Sequence, residues 1–85
     1  MSSHASQTIA VLGAGSWGTA LAMLLGQNRH QVNLWSHNAE HAASMQQSRE
    51  NSRYLPGLTF PTTLNVTADL KTTLKDVSDI LIVVP

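Results

Sequence analysis

The chain has 85 residues, 42% of them hydrophobic, no cysteine and a formal net charge of zero. That length holds at most one small domain, and that balance suits a globular chain with no bias toward nucleic acid or a membrane surface. Without cysteine it has no disulfide, no thiolate chemistry and no cysteine metal site, and no metal ligand set is read from it.

Residues 1–7, MSSHASQ, are polar and lack the apolar core of a secretion signal, so they read as a disordered start. The apolar runs that follow are far too short to span a bilayer, and nothing in the pattern argues for an integral membrane segment. Thr8–Leu12 is short, apolar and partly β-branched, the pattern of a buried strand in a parallel sheet. Three glycines follow at once, in Gly13-Ala14-Gly15-Ser16-Trp17-Gly18. A helix is expected over Ser16–Gln27, where Ala20, Leu21, Leu24 and Leu25 recur at helical spacing. Asn28 is expected to close it in a left-handed conformation.

Gln31–Trp35 alternates polar and apolar residues and predicts a second strand. Asn38 is placed to cap a helix over Ala39–Glu50, whose thin apolar face of Ala39, Ala42, Ala43 and Met45 suits the surface. Asn51 to Thr63 is irregular, punctuated by Pro56-Gly57 and Pro61. A short strand over Leu64–Thr67, a short helix over Asp69–Val77 and a buried strand over Ile80–Val84 complete the alternation. No internal repeat or low-complexity tract interrupts it.

The order is that of an α/β chain, the N-terminal part of a Rossmann-type doubly wound parallel sheet. Such a fold comprises two βαβαβ halves and about 150 residues. Residues 8–85 therefore read as the N-terminal portion of a dinucleotide-binding domain, with the second half and a substrate domain absent. The other reading, a self-sufficient mini-domain, has to contend with how little surface so short a chain buries.

A strand, a G-x-G-x-x-G turn and a helix in that order have a physical rationale in the phosphates of a dinucleotide. Gly13 permits the tight turn, Gly15 lets a pyrophosphate approach the backbone, and Gly18 lets the helix pack closely on the first strand. The helix N-terminus then directs N–H groups and its positive dipole end at the anion. NAD-selective folds carry an acid about 20 residues on, at the end of the second strand. Here that place holds Ser36, His37 and Asn38. An imidazole can carry positive charge, and Ser36 and Asn38 can donate hydrogen bonds, which favours NADP(H) or tolerance of both NADP(H) and NAD(H). His37 as an ordinary solvated loop residue is the competing reading.

The run Ile9-Ala10-Val11-Leu12-Gly13-Ala14-Gly15-Ser16-Trp17-Gly18-Thr19-Ala20-Leu21, followed by Val32-Asn33-Leu34-Trp35, Arg49, Asn51, Tyr54-Leu55-Pro56-Gly57, Asp69-Leu70 and Ile80–Pro85, resembles the bacterial type of NAD(P)-dependent glycerol-3-phosphate dehydrogenase. A generic nucleotide fold would share the glycines but not the R-x-N-x-x-Y-L-P-G motif. Arg29 departs from the family, which often has glycine in that turn. The resemblance implies that Ser16, Trp17, His37 and Tyr54 hold the cofactor beside Gly13, Gly15 and Gly18. It implies reversible hydride transfer between dihydroxyacetone phosphate and sn-glycerol 3-phosphate, a phospholipid precursor, in a cytoplasmic enzyme, for which a homodimer is one assembly. The family's proton-donating lysine would lie downstream of Pro85, and Lys71 and Lys75 do not match it. No catalytic residue is assigned in this chain.

Some residues keep a second reading. Trp17 either flanks the cofactor or packs into the core as an apolar helix residue. Tyr54 and Pro56-Gly57 could instead form a rigid loop packed under the sheet. Arg49 and Arg53 read as a phosphate clamp or, more simply, as solvated helix-end residues. Another NADP-dependent reductase with the same N-terminal fold, or a non-catalytic nucleotide-sensing module, are the alternative functions.

Overall fold

The structure, a computed structural model, describes residues 7–84. Its elements are β1 (Thr8–Leu12), α1 (Ser16–Gln27), β2 (Gln31–Trp35), α2 (Ala39–Ser48), β3 (Leu64–Thr67), α3 (Leu70–Leu74) and β4 (Asp79–Ile82). The disorder expected of residues 1–7 lies outside the described residues except at Gln7, whose carbonyl accepts from Gln31 N–H at 3.0 Å.

All four strands are parallel, in the order β3-β2-β1-β4. The chain first builds outward from β1 through β2 to β3, then crosses back to add β4 on the other side of β1. The main core lies between the sheet and the α1/α2 layer. It joins Ile9, Val11, Val32, Leu34, Leu64 and Val66 of the strands to Ala22, Met23, Ala42 and Met45 of the helices, with Phe60 from the intervening loop.

The polar positions of β2 are not wasted on solvent. Asn33 Nδ2 donates to Thr73 O at 3.2 Å, and Trp35 Nε1 donates to Ala68 O at 3.0 Å. Alternation along β2 therefore docks α3 and its entry on the opposite face by hydrogen bonds, while Val32 and Leu34 fill the core. Both faces of the sheet carry helix, as in a doubly wound fold.

Helix α1 forms as expected, but its buried side is not the leucine stripe. Gly18, Thr19, Ala22, Met23 and Gly26 face inward, and Leu24 is exposed. Small residues win because the helix lies so close to its neighbours: a Cβ on Gly26 would come within 2.8 Å of the Pro61 ring and 2.9 Å of Thr63 Oγ1.

The cap of α1 and the bounds of α2, α3 and β4 differ from the sequence expectation. Asn28 is not left-handed (φ −91°); Arg29 is (φ 71°). Asn28 instead turns its amide back to the Leu24 carbonyl, 3.0 Å away, and the reversal falls one residue later, at the position where the family often has glycine. Helix α2 ends at Ser48, because Arg49 takes up a left-handed conformation. That turn brings the Arg49 guanidinium to the carbonyls of Pro61 (2.9 Å) and Leu64 (2.6 Å), over the Phe60 ring. Arg49 is thus neither a phosphate clamp nor a solvated helix end: it fastens the approach to β3. Close by, Gln46 Oε1 accepts from Val66 N–H at 2.8 Å, covering part of the open edge of β3.

Helix α3 stops at Leu74, where Lys75 turns extended and Asp76 left-handed. Strand β4 ends at Ile82 and is not the buried strand that its composition suggests. Ile80, Ile82 and Val84 are 49%, 72% and 73% exposed, since no described layer covers that face, whereas Leu81 and Val83 pack against the main core.

The cap of α3 has a pH signature. Asp69 accepts from the Thr72 hydroxyl at 2.7 Å and from Lys71 N–H at 3.1 Å. The Thr72 bond, above all, holds its carboxyl below the usual carboxylate value. A depressed native pKa means that the stabilisation is present at neutral pH and is lost as pH falls through the native value. In the complete protein, Asp69→Asn should flatten the acid limb of stability below about pH 4, as read by urea denaturation at a series of pH values. An unaltered acid limb would show that the cap contributes nothing.

Candidate functional site

A cleft of about 510 Å³ opens at the carboxyl end of the sheet, where the chain's two directions of strand addition diverge from β1. In parallel sheets this is the place for a ligand. The turn between β1 and α1 forms one wall. The β2–α2 corner and the loop after α2 form another, and Val83 and Val84 close the side beyond β4.

The three glycines of the turn do three different things. Gly13 has φ +122°, which L side chains rarely adopt, and a Cβ there would collide with the Val83 carbonyl. Its N–H donates to Trp35 O at 3.1 Å, tying the turn to the end of β2. A Cβ on Gly18 would strike the Gly13 carbonyl. Gly15 is different: beyond its chain neighbours no atom lies within 4 Å of where its Cβ would stand, and its φ of −76° is open to any residue. The protein's own packing gives no reason for glycine there. A ligand brought against the backbone does.

Gly15 is also the N-cap of α1, and no side chain caps that helix or places a carboxylate in its first turn. The first-turn N–H groups are therefore left for an anion. Ser16 and Trp17 begin the helix at the mouth of the cleft. Trp17 is 73% exposed, which overturns the reading of it as a core residue.

At the β2–α2 corner the three candidate donors divide. Ser36 is buried and its hydroxyl is used locally, accepting from Asn38 N–H at 3.3 Å. Asn38 Oδ1 caps α2 by accepting from His41 N–H at 2.9 Å. His37 is exposed, with its ring 6.4 Å from that of Trp35. Of the three it is the side chain left to meet a ligand.

The cleft thus brings together Gly15, Ser16, Trp17, Gly18, His37 and Tyr54, with Gly13 behind them shaping the turn. It also contains two residues that the sequence reading did not assign to a binding role or left divided. His41 lines it from the first turn of α2, its ring edge-on to that of Tyr54 at 5.7 Å. The N-cap at Asn38 was the available signal, because it puts His41 in the turn nearest the sheet's carboxyl end. Arg53 lines it too, with its guanidinium 5.5 Å from the Tyr54 ring centroid. Among the described residues no carboxylate lines the cleft, so its charge-bearing groups are His37, His41 and Arg53. Tyr54 is about half exposed and stands at the cleft rather than beneath the sheet. Asn51, completely buried under this wall, entered the sequence reading only as part of the family motif and without a role: its amide's donor contacts, Ala14 and Thr19, lie far back along the chain.

Comparison with known proteins agrees with this geometry. The family model described as the N-terminus of NAD-dependent glycerol-3-phosphate dehydrogenase matches residues 8–85. The glycerol-3-phosphate dehydrogenase [NAD(P)+] of Hydrogenovibrio crunogenus is 59% identical over 78 residues, which is 92% of this chain and 23% of that protein. The crystal structure of the Coxiella burnetii glycerol-3-phosphate dehydrogenase superposes with a TM-score of 0.90 at 52% identity, over 94% of this chain and 25% of that one. The glycerol-3-phosphate dehydrogenase structure from Saccharomyces cerevisiae gives 0.81 at 27% identity, over 94% and 26%. This chain spans about a quarter of the length of these relatives. A glycine turn that leaves space only at Gly15, a carboxylate-free cleft and a family match across nearly the whole chain converge, and the chain belongs to the NAD-dependent glycerol-3-phosphate dehydrogenase N-terminal family.

Proposed function

We propose that residues 8–85 are the N-terminal cofactor-binding portion of an enzyme that interconverts dihydroxyacetone phosphate and sn-glycerol 3-phosphate with NADP(H) or NAD(H). The observation that carries this reading is the empty space at Gly15 in front of an uncapped helix N-terminus. A pyrophosphate fits that donor set: backbone N–H groups at the start of α1, a positive dipole end and no competing carboxylate. Gly13 and Gly18 hold the turn, Gly15 and Ser16 present backbone to the phosphates, and Trp17 and Tyr54 flank the dinucleotide and exclude water. When bound, the nicotinamide supplies the hydride. This chain's part is to bind and orient it.

The relatives are named for glycerol-3-phosphate dehydrogenase activity with NAD(P)+; dihydroxyacetone phosphate as the oxidised partner is what the family resemblance implies. No helix among the described residues is long and apolar enough to cross a membrane. We place the enzyme in the cytoplasm, as the family resemblance implies, feeding phospholipid synthesis, with a homodimer as the assembly to test.

The complete enzyme should consume reduced nicotinamide when given dihydroxyacetone phosphate, and a lack of turnover with either cofactor would refute the assignment. Cofactor choice is tested at the β2–α2 corner. His37→Asp sets a negative charge where the 2′-phosphate of NADPH would lie and offers NADH an acceptor for its 2′-hydroxyl. It should move the NADPH-to-NADH preference in kcat/KM by at least about tenfold, or about 1.4 kcal/mol. His37→Ala should weaken NADPH more than NADH, since it removes the exposed donor at this corner. An unmoved ratio in His37→Asp would mean that this corner does not meet the ribose.

A further inference from the structure

One buried amide joins the two walls of the cleft. Asn51 is 0% exposed. Its Nδ2 donates to Ala14 O at 3.1 Å and to Thr19 Oγ1 at 2.8 Å. Its Oδ1 accepts from Tyr54 N–H at 3.2 Å and lies 3.2 Å from His41 Nε2. The backbone partners leave no freedom in how the amide is turned. A carbonyl can only accept and an N–H can only donate, so the nitrogen must face Ala14 and the oxygen must face Tyr54. His41 then meets an acceptor and must carry a proton on Nε2.

The Ala14 bond has a consequence on the other side of the same peptide. The Ala14–Gly15 peptide is trans, since the described chain has no cis bond, and in a trans peptide C=O and N–H point in opposite directions. Asn51 pulls the Ala14 carbonyl inward. The Gly15 N–H is thereby turned away from Asn51, and Gly15 lines the cleft. With the carbonyl untethered, the peptide could rotate and present an oxygen to the anion in place of a donor.

We infer that Asn51 is a positioning residue for the dinucleotide. It aims the Gly15 N–H at the pyrophosphate, and with its oxygen it fixes the loop that carries Arg53 and Tyr54 and the tautomer of His41. This rests on the cofactor reading given above. Asn51 itself, wholly buried, touches no ligand.

Asn51→Asp separates the two halves of the role. A carboxylate keeps both acceptor contacts, to Tyr54 N–H and His41 Nε2, but sets an oxygen against the Ala14 carbonyl. In the complete enzyme it should raise the Kd for NADPH, and the cofactor KM, by tenfold or more, with a much smaller change in kcat. Thr19→Val keeps the shape of the side chain and leaves the Ala14 bond intact. It should lower the melting temperature yet hold the Kd within about twofold.

The decisive comparison is a double-mutant cycle with Gly15→Val, read by NADPH titration and by urea denaturation of the cofactor-free protein. Once valine bars the pyrophosphate from the turn, aiming the N–H no longer matters. Adding Asn51→Asp should then cost almost nothing further in affinity while its loss of stability adds in full. If Asn51→Asp does not fold, Asn51→Ser carries the same cycle. Affinity losses that add in the cycle, or an Asn51 variant with wild-type Kd, overturn the inference and leave the cofactor reading standing. A wild-type Kd in Gly15→Val alone removes the cofactor reading, and this inference with it.

Discussion

Gly15→Val in the complete enzyme should weaken NADPH binding by about two orders of magnitude, or about 2.7 kcal/mol, while the cofactor-free protein keeps nearly its full stability. The two halves of that expectation have separate causes. A Cβ at this position meets no atom within 4 Å beyond its chain neighbours, and the backbone there is extended, which suits a β-branched residue. Folding has little to lose. The pyrophosphate loses its approach to the backbone, and with it charge-assisted hydrogen bonds each contributing about 1.5–3 kcal/mol. Isothermal titration and a thermal melt on the same preparation measure both. A large drop in melting temperature with unchanged affinity would reverse the roles assigned to the turn.

Gly18→Ala should do the opposite. In an ordinary helix the change would be favourable by about 1 kcal/mol. Here the added carbon falls on the Gly13 carbonyl, a backbone atom that cannot rotate aside. The start of α1 would have to lift off the turn, and overpacking of this kind costs about 1–3 kcal/mol, occasionally more. A net destabilisation of about 2 kcal/mol is expected in urea denaturation, with the cofactor site loosened as a consequence. A variant at least as stable as wild type would show that the contact between turn and helix relaxes freely. Two glycines three residues apart thus answer to different demands, one from the ligand and one from the fold.

How far the sequence revealed this can be judged element by element. β1, α1, β2 and β3 follow their expected boundaries because each is set locally, by an apolar run, a glycine turn or a strict alternation. The ends of α2 and α3 do not, because the left-handed Arg49 stops the first and the extended Lys75, followed by the left-handed Asp76, stops the second, and no composition rule marks these residues as helix ends. Arg49 adopts that conformation to reach carbonyls well ahead of it in the chain, which no local pattern encodes. The exposure of β4 was hidden for a similar reason. Its Ile-Leu-Ile-Val-Val run is right for a two-sided sheet, but burial depends on what covers it. In the site, glycines and His37 were legible because phosphate turns and strand ends have fixed spacing. Asn51 was not, since its meaning lies in four partners that only the folded chain assembles.

The order β3-β2-β1-β4 also sets a timetable for synthesis. Ile9 pairs with Val32 on one side and with Asp79 on the other. On the ribosome, which adds about 5–20 residues per second, the first partner of β1 emerges several seconds before the second. Through that interval the inner strand of the finished sheet is an outer one. Its sequence, Thr-Ile-Ala-Val-Leu, holds no lysine or proline to discourage a stranger from pairing with it. The strand made first is the one that waits longest for its second neighbour, and it is in this window that the nascent chain most needs a chaperone's cover.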